Sequence, residues 1–402
     1  MIKRIIDSVI RWDSFILKQP IFNAIFSSMR QTVPILAVSV YLQLTINIFL
    51  KPDALVTRLF GISVKFPNFI NLQEISSHLD IIVLMIFATT YSLSYLSVRQ
   101  VSQKILPTLI NFLGPFFILT ENNKVMTYST MHYLLIIIVT TVSCESFTYY
   151  KKKFCRNDLQ PFSARYLLWA GIILSFYLTI HRFSIANIFQ QIVSGISINQ
   201  FWTTFQGLII FSFLVPLFFG IGFSIPNEFF SNQTALPSVI KNLDEILKNK
   251  NSILPYPTNL YSVYHAFSQF GGVGNTLVLS FMLLYAVSKK RQNLGFLSLL
   301  PSLFDQNQLL YFGLPIFFRP IILFPMLITS IMGTIIGYLA IVSHLIKPAS
   351  LIIPNEIPNF LLAFLGSNDG WTLILNTFII FISIIVYSPF IKIQNSEVDY
   401  EK

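Results

Sequence analysis

The chain has 402 residues, of which 54% are hydrophobic and 11% are charged. Soluble domains carry roughly one quarter charged residues, so this composition excludes an ordinary soluble domain. The mean hydropathy of +0.66 indicates instead an integral membrane protein. The net charge of +10 does not predict a nucleic-acid partner, because the cations cluster in short segments beside apolar runs, where positive-inside bias explains them.

The first 18 residues mix charged and apolar positions near helical spacing, and no small-residue cleavage site follows them. This pattern predicts an amphipathic helix at the inner membrane surface rather than a signal peptide. By the positive-inside rule this segment faces the cytoplasm, as do Lys151–Arg156, Lys289–Arg291 and the residues after Lys392. The protein is therefore predicted to be multi-pass with a cytoplasmic N-terminus.

Apolar runs along the chain approach or reach the roughly 17–25 residues that a membrane-spanning helix needs. They are Ile81–Leu96, Tyr133–Val142, Tyr166–Ile180, Phe201–Phe223, Thr276–Val287, Ile321–Val342 and Trp371–Ile391. With less regular runs near residues 32–50 and 105–119, they predict about eight to ten crossings. The predicted fold class is an all-α polytopic membrane protein.

The two halves of the chain differ in how regular their apolar runs are. In residues 1–198 the apolar runs are regular, which predicts a scaffold with the amphipathic helix and about five membrane helices. In residues 199–395 glycine and proline interrupt the apolar stretches, and such backbone survives at membrane depth only where protein or a watery cavity covers it. Broken helices, re-entrant segments and the substrate site are therefore expected there. Residues 396–402 are expected to form a short cytoplasmic tail.

The two cysteines do not indicate a cofactor or metal site. Cys144 and Cys155 have neither a second pair nor metal-ligand spacing. Both are predicted to be ordinary unpaired thiols, and the sequence predicts no metal and no cofactor.

Several motifs, in the right order, carry a family resemblance. Asn307–Pro315 is similar to the signature Asn-Glu-Pro-x-x-Phe-Gly-x-Pro of phosphotransferase system (PTS) sugar permeases, membrane component EIIC, of the lactose/cellobiose group, which includes diacetylchitobiose-like permeases. Residues 270–277 resemble the Gly-Gly-x-Gly-x-Thr-Leu element of that group. Residues 354–392 resemble its closing helix, and Phe218–Gly222 also lies in order. Several ordered motifs are more specific than any one of them.

The resemblance implies an EIIC-like fold of about ten transmembrane helices with two re-entrant hairpins. It also implies a homodimer joined through the first half and a sugar held in the second half. In such permeases of the bacterial cytoplasmic membrane, the sugar is carried inward and phosphorylated by a IIB protein, which a IIA protein charges. IIA and IIB are expected here as separate chains, since the membrane part accounts for the whole sequence.

The chain departs from the family pattern at two positions. Gln308 occupies the place of the signature glutamate, and Gly222 aligns where the family tends to have histidine. A carboxylate can accept strong hydrogen bonds or take a proton, whereas an amide cannot act as a base. No catalytic residue is therefore assigned, and two functions stay open. One is a sugar permease of the PTS, and the other is a degenerate EIIC paralogue that acts as facilitator, sensor or receptor without phosphoryl transfer.

The resemblance and the polar or flexible residue types select a set of candidate substrate-binding residues. They are Asn307, Gln308, His265, Gly271, Gly272, Gly274, Asn275, Phe312 and Gly313. Structural alternatives stay open for each type. The amides can cap a hairpin turn, and the glycines can permit close helix packing. His265 can hydrogen-bond a sugar, titrate near neutral pH or pack among aromatic residues.

Three further charged residues lie close to these motifs. Asp305 and Glu228 flank the two altered positions, where they either supply the missing carboxylate or, as we favour from sequence, are loop charges. Arg319, just before a proline, is predicted to be a snorkelling interfacial anchor.

Overall fold

The computed structural model describes residues 2–51, 54–61, 69–121, 124–125, 131–154, 163–183, 200–223, 237–248, 253–354 and 357–397. Within these ranges the regular structure is helical, apart from one pair of two-residue antiparallel strands, β1 (Thr120–Glu121) and β2 (Lys124–Val125). The predicted all-α class is therefore confirmed. Cys155 and Glu228 lie outside the described residues, whereas Cys144 is a free, buried thiol.

The first half consists mainly of long helices. They are α1 (Ile2–Lys18), α2 (Pro20–Thr45) with a π-helical extension (Ile46–Leu50), α3 (Leu55–Phe60), α4 (Phe69–Val98), α5 (Ile105–Leu119), α6 (Met131–Phe154) and α7 (Ala164–Phe183). Helix α4 packs along both α2 and α5, and α5 also contacts α7. Large aromatic side chains, such as Tyr91, Phe147 and Tyr177, are fully buried between these helices.

The second half begins with shorter and more varied elements. They are a 3-10 helix (Gln200–Thr203), α8 (Phe205–Gly220), α9 (Pro237–Lys248), a second π-helix (Leu260–His265), α10 (Ala266–Ser268), α11 (Thr276–Leu283), α12 (Lys289–Leu303), α13 (Gln308–Gly313), α14 (Pro320–Val342), α15 (Asn359–Ser367) and α16 (Trp371–Glu397). The expected interruption of apolar stretches by turns is thus present between α10 and α14. The last helix extends to Glu397, and residues 398–402 lie outside the described part of the chain.

The described helices agree with an integral membrane protein. Six are long and apolar enough to cross a bilayer, namely Pro20–Thr57, Ile75–Val98, Tyr133–Phe154, Ala164–His181, Pro320–Val342 and Trp371–Ile393. Two shorter apolar helices are Ile105–Leu119 and Phe205–Gly220. The run Thr276–Val287 does not form one span, because α11 has eight residues and is about 12 Å long, far short of a bilayer core of about 30 Å. The total of about ten crossings and the re-entrant hairpins stay predictions.

Close backbone approach fixes the position of α10 against the long helix α14. A Cβ atom on Gly333 would lie 2.3 Å from the carbonyl oxygen of Phe267, and one on Gly337 would lie 2.3 Å from the Phe267 ring. Ser268 strengthens the contact, because its hydroxyl donates to the Ser330 carbonyl at 2.9 Å. The turn that follows α10 is thereby held beside α14.

The amphipathic helix α1 is present, and it is anchored by charge. Asp13 is fully buried, whereas Trp12 and Phe15 on the same helix are 70% and 64% exposed. The Asp13 carboxylate accepts from Nη2 of Arg319 at 2.6 Å and from its Nε at 3.2 Å. Arg319 is only 6% exposed, so the predicted snorkelling anchor is wrong. A buried carboxylate beside α14 holds the guanidinium inside the protein instead.

Candidate functional site

The two principal motifs of the second half are in direct contact. Asn307 donates through Nδ2 to the Thr276 hydroxyl at 2.9 Å and to the Tyr311 hydroxyl at 2.6 Å. Thr276 in turn donates to the carbonyl oxygen of Gly271 at 2.7 Å. A Cβ atom on Gly272 would lie 1.8 Å from Asn307 Nδ2. The structure thus brings the glycine element and the signature segment together at one place.

The glycine element is an opened turn between α10 and α11. Gly271 and Gly272 have φ angles of +71° and +107°, in the region that favours glycine because it has no Cβ atom. The Gly272 amide donates to the Gln269 carbonyl at 3.0 Å. At these two positions an opened backbone, rather than the packing of two regular helices, explains the glycines.

Four consecutive residues, the two before the signature and its first two, hold buried oxygen atoms without a hydrogen-bond partner. They are Asp305 Oδ1, Gln306 Oε1, Asn307 Oδ1 and Gln308 Oε1. A buried acceptor without a partner costs about 1–3 kcal/mol, and native proteins contain few such groups. Elsewhere in the described chain, buried oxygens without a hydrogen bond, such as Thr120 Oγ1 and Asn376 Oδ1, occur at isolated positions. We name residues 305–308 the acceptor segment.

Asp305 lies in the turn between α12 and α13, with a φ angle of +61°. Its Oδ2 accepts from the backbone N–H of Asn359, the first residue of α15, at 3.0 Å. Burial raises the pKa of Asp305 well above its ordinary value, although backbone N–H groups of Asn359 and Gly271 act in the opposite direction. Asp305 thus lies in a turn, as expected of a loop charge, but the residue is partly buried and its Oδ1 is shielded from solvent.

His265, the last residue of the second π-helix, adjoins the same network. It is 5% exposed, and its ring meets that of Tyr261 edge-on at a centroid distance of 5.8 Å. Burial lowers the pKa of His265 to about 4, partly offset by a hydrogen bond with Asn359. Of the alternatives left open for His265, its burial and its contact with Tyr261 favour packing among aromatic residues over titration near neutral pH. Asn359 also donates to the Gln269 carbonyl at 3.3 Å, so it links α15 to both His265 and the glycine turn.

Two of the candidate residues, Asn275 and Gly274, form hydrogen bonds to other parts of the protein. Asn275, with a φ angle of +55°, accepts a backbone N–H within its own turn and donates to the Ser383 hydroxyl at 3.2 Å. The Gly274 carbonyl accepts from the hydroxyls of Thr329 at 2.9 Å and Tyr387 at 2.6 Å. These contacts attach the glycine turn to α14 and α16.

Phe312 and Gly313 lie on the packing surfaces of α13. The Phe312 ring lies 4.5 Å from that of Tyr133 and 5.7 Å from that of Phe87, measured between centroids. A Cβ atom on Gly313 would lie 2.2 Å from Leu294. The structure therefore places these two residues against the first half and α12. It brings together Gly271, Gly272, Asn307 and, through Asn359, His265, and Gln308 adjoins them as the residue after Asn307.

The other altered position lies at the end of α8. Gly222 has a φ angle of +86°, and a Cβ atom there would lie 3.6 Å from Leu134 of α6. Nearby, the Gly220 carbonyl accepts from the backbone N–H of Phe318 at 2.7 Å. This bond joins the end of α8 to the segment that follows α13.

Comparison with known proteins supports the family suggested by these motifs. No protein-family model matches the chain. A segment of 142 residues is 30% identical to the PTS system cellobiose-specific EIIC component of Lactococcus lactis subsp. lactis (strain IL1403), covering 34% of this chain and 29% of that protein. The resemblance to EIIC components is confirmed. A second relative, the PTS system lactose-specific EIICB component of Staphylococcus aureus (strain N315), is 32% identical over 131 residues, which are 32% of this chain and 23% of that protein.

The similarity to these EIIC-containing relatives spans less than one third of their length. Among solved structures, the N,N'-diacetylchitobiose-specific IIC transporter ChbC aligns over 96% of this chain and 95% of its own, with a TM-score of 0.44 and 19% identity.

Sequence reasoning did not identify Asn359 as part of this network, or Gln306 as a residue of the acceptor segment. Gln306 belongs to four consecutive polar residues, Asp305 to Gln308, between apolar stretches, and this run was the available signal. Asn359 follows Pro358 at the start of α15, so only the helix boundary distinguished it. Its three contacts come from tertiary structure, which one sequence does not display.

Proposed function

We propose that this chain is the sugar permease component of a phosphotransferase system. It binds an oligosaccharide or disaccharide of the cellobiose, chitobiose or lactose type and moves it inward, where a separate IIB protein, charged through IIA, phosphorylates it. The observation that carries this proposal is the acceptor segment, whose four buried oxygens lack partners beside the glycine turn. The similarity to cellobiose- and lactose-specific components supports the same class of substrate.

A sugar matches the chemistry of the acceptor segment. The unpartnered atoms are all oxygen acceptors, and each sugar hydroxyl offers a donor as well as acceptor lone pairs. Partners that replace water in this way remove the cost of a buried polar group. Asn307 is suited to orient the ligand, because bonds to Thr276 and Tyr311 fix its Nδ2 and leave Oδ1 for a hydroxyl group. Gln308 contributes Oε1 as a further acceptor.

The division into halves supports an alternating-access movement. In this proposal residues 1–198 form the dimeric scaffold in the bacterial cytoplasmic membrane, with the N-terminus inside, and residues 199–395 move as a body with the sugar. Support comes from the long helices of the first half and from the interrupted backbone around the acceptor segment, since transporters bind substrate at broken helices.

A second function is favoured by one specific feature, the amide at Gln308. A glutamine cannot take a proton from a sugar hydroxyl, so a paralogue that binds sugar without phosphoryl transfer fits this residue and Gly222. Sugar binding is common to both functions, and only phosphoryl transfer separates them.

The test has two stages. First, the purified chain in liposomes is titrated with cellobiose, lactose and diacetylchitobiose, with mannitol as a non-glycoside control. Saturable binding of at least one glycoside is expected, and binding of none would overturn the proposal. Second, the chain is combined with IIA, IIB, the general phosphotransferase proteins and phosphoenolpyruvate, beside a Gln308→Glu variant. Sugar phosphate formed by the unaltered chain supports the permease, whereas formation only by the variant supports the paralogue.

A further inference from the structure

Two aspartates of the described chain, Asp13 and Asp80, are buried, and a third, Asp305, is partly buried with one buried oxygen. The three differ in which partners their oxygens have. Asp13 receives Arg319 on both oxygens. Asp80 receives the Ser39 hydroxyl on Oδ1 and the Gln43 amide on both oxygens. Asp305 is different, because Oδ2 accepts from the Asn359 backbone N–H, whereas Oδ1 is buried and receives no hydrogen bond of normal geometry, although the Gly271 N–H also acts on this carboxyl group. Among the described residues it is the one carboxyl group with such an oxygen.

The bonded oxygen of Asp305 fixes the direction of the other. The Asn359 N–H holds Oδ2 at 3.0 Å on the side of α15, so Oδ1 is presented away from that bond. Asp305 and Asn307 are two residues apart, and Asn307 is 4% exposed with its own unpartnered Oδ1. The glycine turn joins both, since Gly271 interacts with Asp305 and Gly272 abuts Asn307. Asp305 therefore belongs to the same place as the predicted sugar ligands.

We propose that Asp305 is a specificity-determining ligand of the sugar site, whose Oδ1 forms a hydrogen bond with one hydroxyl group of a neutral sugar. This inference rests on the proposed sugar-binding function and assigns to it a residue that lies outside the aligned signature. A hydroxyl suits the position in either protonation state of Asp305, because a carboxylate accepts and a carboxylic acid can also donate. A ligand group that only accepts hydrogen bonds, such as a sugar carboxylate, matches the four acceptor oxygens of residues 305–308 poorly.

The contact predicts a defined ligand preference. A site that bonds a substrate hydroxyl discriminates against the analogue that lacks it, because the buried group of the protein then stays unpaired. A tenfold change in affinity corresponds to about 1.4 kcal/mol, which is within the range that one hydrogen bond to a polar or charged group contributes. We therefore expect one deoxy analogue of the bound glycoside to bind about tenfold more weakly than the parent sugar.

The experiment compares Asp305→Asn with Asp369→Asn in the full chain, by titration with the glycoside that the unaltered protein binds and with its series of monodeoxy analogues. Asp369 is a matched control, because it also accepts backbone N–H groups, from Lys347 at 2.9 Å and Trp371 at 3.1 Å. We expect D305N to weaken binding of the parent sugar about tenfold and to lose the penalty for one deoxy analogue. D369N is expected to keep both the affinity and the preference.

The outcomes separate the inference from the proposed function. If the unaltered chain binds no glycoside, the proposed function fails, and this inference with it. If the unaltered chain binds but D305N matches its Kd values for the parent sugar and every analogue, only this inference is overturned. Should D305N not fold, Asp305→Glu replaces it, since it keeps the carboxylate and moves the oxygen by one methylene. An unchanged order of Kd values across the deoxy series in that variant would equally overturn the inference.

Discussion

Each half of the molecule has a buried cluster centred on an asparagine. The two clusters differ in whether the side-chain oxygen of that asparagine has a hydrogen-bond partner. In the first half, Asn111 donates to the Ser92 hydroxyl at 2.9 Å and to Cys144 Sγ at 3.3 Å, and it accepts from the Tyr177 hydroxyl at 2.6 Å. In the second half, Asn307 Nδ2 is fully engaged, but its Oδ1 has no partner. A buried amide with partners on both ends holds helices together, whereas one with an open acceptor is suited to bind a ligand.

The backbone explains why the clusters differ. Asn111 and its partners lie on the regular helices α4 to α7, where the backbone bonds are satisfied within each helix and side chains connect one helix to the next. The second cluster lies on turns, and Gly271, Gly272 and Asp305 have positive φ angles. Turns of this kind persist where the surrounding structure holds them, and they concentrate at functional sites.

The largest expected effect concerns the bond between the halves, Asp13 with Arg319. Replacing Asp13 with asparagine should destabilise the protein by about 3–5 kcal/mol, because it leaves a buried guanidinium without a counter-charge. The measurement is the free energy of unfolding in mixed micelles. The control is Arg99→Met, since the Arg99–Glu145 pair is 53% and 45% exposed at its side chains and should contribute about 1 kcal/mol or less. Equal losses in the two variants would show that Asp13 does not anchor α1.

The next largest expected effect concerns the glycine turn of the second cluster. Gly272→Ala should destabilise the protein by about 3 kcal/mol, from a strained φ angle and from overlap with Asn307. It should also abolish glycoside binding, because Asn307 must move. Thermal unfolding and ligand titration measure the two effects. Gly171→Ala in α7 is the matched control, as nothing lies within 4 Å of its added Cβ atom. Normal binding by G272A would contradict the role of this turn.

The two asparagines allow a direct test of the comparison. Asn111→Ala leaves the Tyr177 and Ser92 hydroxyls with fewer partners, so we expect it to lower stability by about 1–3 kcal/mol without changing the Kd for the glycoside. Asn307→Ala removes the open acceptor and should weaken binding about tenfold. Unfolding and titration of both variants give the two values. The comparison fails if N111A weakens binding as much as N307A.

Particular residues show how far the sequence alone could predict this molecule. Apolar runs predict the long helices well, because the length and hydrophobicity of a segment determine whether it can span the membrane as a helix. The motifs also predict that Gly272 and Asn307 matter. The sequence does not show that Asn275 forms structural hydrogen bonds or that Phe312 packs against the first half. It also does not show that Asp13 and Arg319, which are 306 positions apart, form a buried pair. Those properties depend on which surfaces meet, and a single sequence does not specify distant contacts.

The smallest effect concerns the attachment of the glycine turn to α16. Tyr387 donates to the Gly274 carbonyl at 2.6 Å, but that carbonyl also accepts from Thr329 at 2.9 Å. Tyr387→Phe should therefore lower stability by only about 1 kcal/mol, since the acceptor keeps a partner. Tyr285→Phe, at a position 76% exposed, is the control and should leave the unfolding temperature unchanged.

The Tyr387 variant also bears on the difference between the clusters. If the turn is held by several independent bonds, as the contacts of Gly274 and Asn275 indicate, losing one of them should leave the acceptor segment in place and glycoside affinity nearly unchanged. A strong loss of affinity in Y387F would mean that α16 positions the ligand groups directly. The second cluster would then depend on interhelical bonds as much as the first, and the open acceptors alone would no longer explain its function.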